Sequence, residues 1–112
     1  MKLVLINPYA FLNKRAEFAN EILGWRKNNV LGIKTVIPTN ELVSKHFSHL
    51  PDAQCRAVAN EWAGAQIEAY LVDFVPEGKQ EEFKEYLYIS PLDDVKRAER
   101  DILLWYPEKV VD

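Results

Sequence analysis

Leu3-Val4-Leu5-Ile6 is apolar at every position and is closed by Asn7-Pro8. A strand with one wet face alternates apolar and polar residues, so a run without alternation must be covered on both sides. Pro8 stops the run, because proline brings no N–H to a ladder and restricts the residue before it. The run therefore belongs at the centre of a sheet with helices on its faces. A parallel sheet is the arrangement that most often buries both faces. The run also falls far short of the roughly 20 residues that span a bilayer, and too short for the apolar core of a leader peptide.

Leu12, Ala16, Ala19, Ile22 and Leu23 recur at the spacing of one helix face, with Asn13 as a suitable N-cap. Asn28-Asn29 and Gly32 interrupt that pattern ahead of Ile33-Lys34-Thr35-Val36-Ile37, a β-branched run that reads as a strand. Strand, helix and strand in this length make a βαβ unit with a right-handed crossover. Pro38-Thr39 opens a second helix with Leu42, Val43, Phe47 and Leu50 inward. Pro51-Asp52 opens a third with Cys55, Val58, Ala59 and Trp62 inward, ended by Gly64.

Residues 67–75 alternate and read as a strand, followed by a turn at Pro76-Glu77-Gly78-Lys79. Across 79–89 two patterns coexist. Phe83, Tyr86 and Leu87 suit a helix, whereas Phe83, Leu87 and Ile89 suit one face of a strand. The ending Tyr86-Leu87-Tyr88-Ile89 favours a strand paired back onto 67–75. Ser90-Pro91-Leu92-Asp93 then caps a last helix with Leu92, Val95, Ala98 and Ile102 inward. The expected class is α/β, with α+β also compatible, and residues 1–112 form one domain. It is a two- or three-layer sandwich around a mostly parallel sheet begun by the βαβ unit, with an antiparallel edge hairpin over 67–89 and a C-terminal helix.

With 112 residues, 48% of them hydrophobic and 28% charged, the chain can bury a core without metals or disulfides and is not a disordered segment. Cys55 is the single cysteine, so no internal disulfide forms and a reducing cytoplasm is the expected location. Charge is unevenly spread. Residues 1–65 carry eight Lys/Arg against five Asp/Glu, and residues 66–112 carry six against twelve, for a net −3. Nucleic acid is not an expected partner of such a chain, since phosphate neutralisation supplies most of that affinity. Nor is a membrane. The acidic half can serve solubility or face a basic protein.

His46, His49, Asp52 and Cys55 are spaced three apart, and all four types ligate zinc. His46 and His49 are the candidate ligands. Pro51 turns the chain between the two pairs, so no metal is expected, and no cofactor motif is visible. Cys55 paired with either histidine near a helix start would be an activated nucleophile. On the stripe with Val58 and Trp62 it reads instead as a small buried hydrophobe. Glu81–Glu82 and Asp93–Asp94 are adjacent pairs, which do not converge on one point.

The loop after the first strand holds the candidate ligand site. Asn7 offers an amide and Tyr9 a hydroxyl and a ring. The helix start at Asn13 offers N–H groups, with Lys14 and Arg15 beside it, which suits a small anionic or nucleotide-like ligand. Glycines occur only at 24, 32, 64 and 78, so no glycine-rich phosphate loop is present. Asn7 must either bond the loop backbone or face a ligand, because a buried amide without partners costs about 1–3 kcal/mol.

The opening Leu-Val-Leu-Ile-Asn-Pro-Tyr resembles the first strand and loop of nucleoside deoxyribosyltransferase-like proteins, over the first third of the chain. No later motif matches that family's catalytic carboxylates. The resemblance points an enzyme reading towards nucleosides. The leading expectation is a non-catalytic interaction protein that binds a macromolecule or itself as a dimer, with Trp25, Trp105, Tyr86 and Tyr88 as interface residues. The alternative is a small nucleotide- or nucleoside-binding enzyme with its site at the loop after the first strand.

Overall fold

A computed structural model describes residues 1–109. The elements run β1 (Lys2–Ile6), α1 (Pro8–Gly24), β2 (Val30–Val36), α2 (Asn40–His46), α3 (Asp52–Trp62), β3 (Ile67–Val72), α4 (Lys79–Glu82), β4 (Leu87–Ile89) and α5 (Val95–Trp105). A 3-10 turn, Pro107–Lys109, follows. The four strands form one sheet in the order β2-β3-β1-β4, and every neighbouring pair is antiparallel.

That corrects the expected parallel sheet. β1 and β2 do run the same way, as a βαβ unit requires, but β3 lies between them. β3 and β4 are likewise separated by β1, so the sheet interleaves two split βαβ units. The inference from Leu3–Ile6 to a covered central strand holds, since all four residues are fully buried. The step from covered to parallel fails, because helices on both faces bury an antiparallel sheet equally well.

Strand alternation divides the core. Leu3 and Leu5, with Ile67, Ala69 and Leu71, meet α2, α3 and α5 through Val43, Ala59, Trp62, Ile102 and Trp105. Val4 and Ile6, with Tyr70 and Val72, meet α1 and the β3–β4 connection through Phe18, Ile22 and Val75. β2, at the edge, alternates between half-buried and exposed residues. Its Gly32 follows a bulge and lies under Tyr106, whose hydroxyl donates to the Ala69 carbonyl at 2.6 Å.

Three local expectations change. α1 begins at Asn7, whose side chain accepts from the Ala10 N–H at 2.9 Å, and Pro8 occupies its first turn. Asn13 lies inside the helix and donates to the Tyr9 carbonyl, one residue before a break at Lys14 (φ −140°, ψ 23°). The earlier start turns Ala10, Phe18 and Ile22 inward and leaves Leu12 and Leu23 largely exposed. Second, 79–89 is neither one helix nor a strand on β3. It is a helical turn followed by three residues that pair with β1, Val4 opposite Ile89 and Ile6 opposite Leu87. Third, α5 is capped by Asp94, which accepts from the Arg97 N–H, rather than by Ser90. Its inner face is Ala98, Asp101, Ile102 and Trp105, while Leu92 and Val95 are exposed.

Candidate functional site

The carboxyl end of β1 and the start of β4 are tied together by Asn7. Its N–H donates to the Tyr86 carbonyl at 3.0 Å and its Nδ2 to the Glu85 carbonyl at 2.8 Å. Above this junction stands the α2–α3 hairpin, fixed by the Thr39 cap on α2 and by Pro51 at the start of α3. The two parts enclose a cleft of about 200 Å³. Phe47, Val58 and Trp62 line it from the hairpin, and Asn7, Leu87 and Tyr88 from the sheet, with Lys84 at the side. Phe47 meets Trp62 edge to face at 5.2 Å between ring centroids, and Tyr88 at 5.9 Å. Three aromatic rings from three elements thus form an apolar slot at one end of the sheet.

A buried polar network supports the slot from behind. The Tyr88 hydroxyl and the Ser90 hydroxyl both donate to Oδ2 of Asp101. Arg100 reaches Oδ1 of Asp101 at 3.2 Å and the His46 carbonyl at 2.7 Å, joining α5 to the end of α2. Burial, and then the hydrogen bond to Asp101, hold the Tyr88 phenol above its ordinary pKa. His46 is fully buried and its pKa falls to about 3, first through burial and then through the Arg100, His49 and Arg97 charges. It is neutral at pH 7 although Asp101 lies 3.6 Å from Nδ1. Its Nδ1 accepts from Trp105, so the ring proton sits on Nε2.

Beside this network, Nη2 of Arg97 lies 2.6 and 3.0 Å from the two ring nitrogens of His49. The His49 ring in turn sits 6.2 Å from Phe47. Loss of solvent, followed by the Arg97 and Arg100 charges, lowers the His49 pKa from its usual value.

The five ligand candidates are only partly assembled. Asn7 lines the cleft, but both of its side-chain groups serve the loop backbone. Tyr9 and Asn13 line a neighbouring groove of about 350 Å³ against the end of α3. The Tyr9 ring stacks on Tyr86 at 6.0 Å, and Nζ of Lys14 stands 5.7 Å from the same ring. Arg15 turns away to an ion pair with buried Glu68 at 2.6 Å. Sequence reasoning missed Phe47, Trp62 and Lys84. Two of these were assigned to core stripes, and nothing short of tertiary structure brings the three together.

His46 and His49 do not converge on a metal site. Among the described residues no group of three or more His, Cys, Asp or Glu side chains could hold an ion. Cys55 is half-buried with Sγ 3.5 Å from the Ser44 carbonyl, and is not paired with either histidine. Of the expected interface residues, Trp105 is core at 2% exposure. Trp25 is half-buried and donates to Glu21, Tyr86 packs on Phe18, and Tyr88 lines the cleft. Among the described residues no helix is long and apolar enough to cross a membrane.

The overall fold is shared with solved structures. The fold resembles that of nucleoside diphosphate kinases. The enzyme from Encephalitozoon cuniculi matches with a TM-score of 0.71 at 19% identity, over 99% of this chain and 91% of that one. The Aquifex aeolicus enzyme gives 0.73 at 12% identity, over 94% and 93%. The Borrelia burgdorferi enzyme, solved as a transition-state mimic with bound vanadate and ADP, gives 0.68 at 10% identity, over 99% and 89%. By sequence, the chain matches no protein-family model and none of the curated proteins. The likeness is one of fold, and it corrects the leading expectation of a non-catalytic interaction protein. Of these neighbours, the Borrelia burgdorferi enzyme is the one described with a bound nucleotide.

Proposed function

We propose that this chain is a nucleotide-binding enzyme that takes a nucleoside di- or triphosphate into the cleft between the α2–α3 hairpin and the β1–β4 junction. The observation that carries the reading is the slot of Phe47, Trp62 and Tyr88, which opens beside Lys84. Aromatic walls accept the face of a base, worth about 1–3 kcal/mol per stacked base in single-stranded nucleic-acid sites. A cationic edge accepts phosphates. The fold shared with nucleoside diphosphate kinases supports the same choice of ligand.

The chemistry that suits this site is transfer at the phosphate chain by positioning and charge stabilisation. The nucleophilic side chains around the cleft are engaged. His46 is sealed in the core, the Ser90 and Tyr88 hydroxyls donate to Asp101, and His49 lies against Arg97. Transfer would therefore run directly between bound groups. Calorimetry with ADP and ATP tests the binding, and a coupled assay of phosphate transfer from ATP to a second nucleoside diphosphate tests the chemistry. Absence of ADP binding at millimolar concentration, or unchanged binding in Phe47→Ala, would remove the reading.

Self-association belongs to the same proposal. Among the described residues no strand pairs with the outer side of β2, and Leu31 and Ile33 on it, with Ile37 just beyond its end, are each about half exposed or more. An uncovered apolar edge invites a further strand. A second copy supplies one that is self-complementary about a two-fold axis.

A further inference from the structure

Direct transfer needs donor and acceptor on the protein together, since the nucleophilic side chains around the cleft are engaged. The cleft, at about 200 Å³, is below the roughly 300–1,000 Å³ of ligand pockets. A second nucleotide therefore has to lie outside it. The groove of about 350 Å³ beside it falls within that range.

The two hollows adjoin on both walls. Asn7 lines the cleft and Pro8 the groove, and on the facing wall Trp62 lines the cleft and Glu61 the groove. One peptide unit, about 3.8 Å between Cα atoms, separates the members of each pair. Within the groove, Tyr9 and Leu12 are both more than half exposed, although α1 turns Ala10, Phe18 and Ile22 inward. The Tyr9 ring is not loose, because it stacks on Tyr86 with 26° between the ring planes. Gln66 lines the same groove, is exposed, and among the described residues makes no side-chain hydrogen bond. A fixed ring, aliphatic surface and a free amide that both donates and accepts are what the face and edge of a base require.

We propose that this groove seats the base of a second nucleotide, so that two nucleotides lie phosphate to phosphate across the Asn7–Pro8 and Glu61–Trp62 junctions. The proposal rests on the nucleotide-binding reading of the cleft and supplies its missing partner. The terminal phosphoryl group of a triphosphate breaks its P–O bond to the β-phosphate. It forms one to the terminal phosphate oxygen of the facing diphosphate, so a triphosphate and a diphosphate are regenerated and nothing else is consumed. Holding both ends at once makes the step effectively intramolecular.

The experiment is calorimetry, which counts ligands bound per chain, on the wild type, Phe47→Ala, Tyr9→Ala and Leu12→Glu. The probes are ADP and the diadenosine tri-, tetra- and pentaphosphates, which carry two bases on one phosphate chain. Two ADP per chain are expected. Phe47→Ala should remove one, and Tyr9→Ala or Leu12→Glu the other. At the linker length that spans the two seats, a diadenosine polyphosphate should bind once per chain, tenfold or more tighter than ADP. Leu12→Glu should erase that gain, and the exposure of Leu12 keeps this variant folded whatever Tyr9→Ala does to stability. A single ADP lost in Phe47→Ala, with every diadenosine polyphosphate no tighter than ADP, overturns the second seat and leaves the cleft reading intact. Two ADP retained in both groove variants overturn it as well. A single ADP lost in the groove variants and kept in Phe47→Ala upholds the groove and removes the cleft reading. No ADP binding at millimolar concentration removes both.

Discussion

The Trp105 indole N–H donates to Nδ1 of His46 at 2.9 Å, inside the contact between α5 and α2. The bond satisfies the indole N–H and Nδ1 where water does not reach, leaves Nε2 without a hydrogen-bond partner, and needs an unprotonated Nδ1. The pKa of His46 in the fold, about 3, lies below the 6.5 of an unfolded chain. A depressed folded value means that protons bind the unfolded chain first. The associated stability is therefore complete above pH 6.5 and is lost as pH falls towards 3, by roughly 4 kcal/mol at most. Urea midpoints measured from pH 7.5 to 4 should fall steadily. A flat profile would show that the ring is not neutral in the fold. His46→Phe should cost about 1–3 kcal/mol at pH 7, by orphaning the indole N–H, and should flatten the same profile.

Asn7 joins three chain segments with one side chain, since Oδ1 caps Ala10 and Nδ2 holds the Glu85 carbonyl. Asn7→Ala should lower stability by about 1–2 kcal/mol. Asn7→Asp keeps the cap acceptor and loses the donor, so it should fall between the two in thermal denaturation. Equal losses for Ala and Asp would assign the whole effect to the Glu85 bond.

Gly32 is an edge-strand residue with no room above it. A Cβ placed there stands 3.3 Å from Cε1 of Tyr106, whose hydroxyl is committed to Ala69. Gly32→Ala should cost about 1 kcal/mol, and Gly32→Val more. In the double variant with Tyr106→Phe the ring is free to shift, so the two losses should add to less than their sum. Chemical denaturation of the four proteins checks this.

The β2 edge sets the oligomeric prediction. Ile33→Lys places a charge in the middle of the exposed aliphatic row and should convert a dimer into a monomer with little change in fold. Sedimentation of both proteins at the same micromolar concentration is the measurement. A wild type that sediments as a monomer would remove the self-association.

Much of the architecture is legible locally. Unbroken hydrophobicity marks Leu3–Ile6 as central, Thr39 caps α2 as its position suggests, and Pro51 sits at the start of α3. What misleads is a choice between local signals of equal quality. Asn7 and Asn13 are both acceptable caps, and only packing decides that Phe18 rather than Leu12 faces the sheet. The partner of a short strand is not local at all, so nothing in Leu87-Tyr88-Ile89 tells β1 from β3. The site is hidden for the same reason. Phe47, Trp62 and Tyr88 each read as ordinary core aromatics until the hairpin folds over the β1–β4 junction.

The interleaving of the strands bears on how the chain is made. When β1, α1 and β2 have emerged from a ribosome, neither strand has a neighbour, since the one that joins them, β3, begins at Ile67. β1 keeps its other side open until Leu87 arrives. The most water-averse segment of the molecule is thus synthesised ahead of both its partners and is among the last to be enclosed. A nascent chain paused before residue 67 is a natural client for a chaperone, and one completed through β4 no longer needs it.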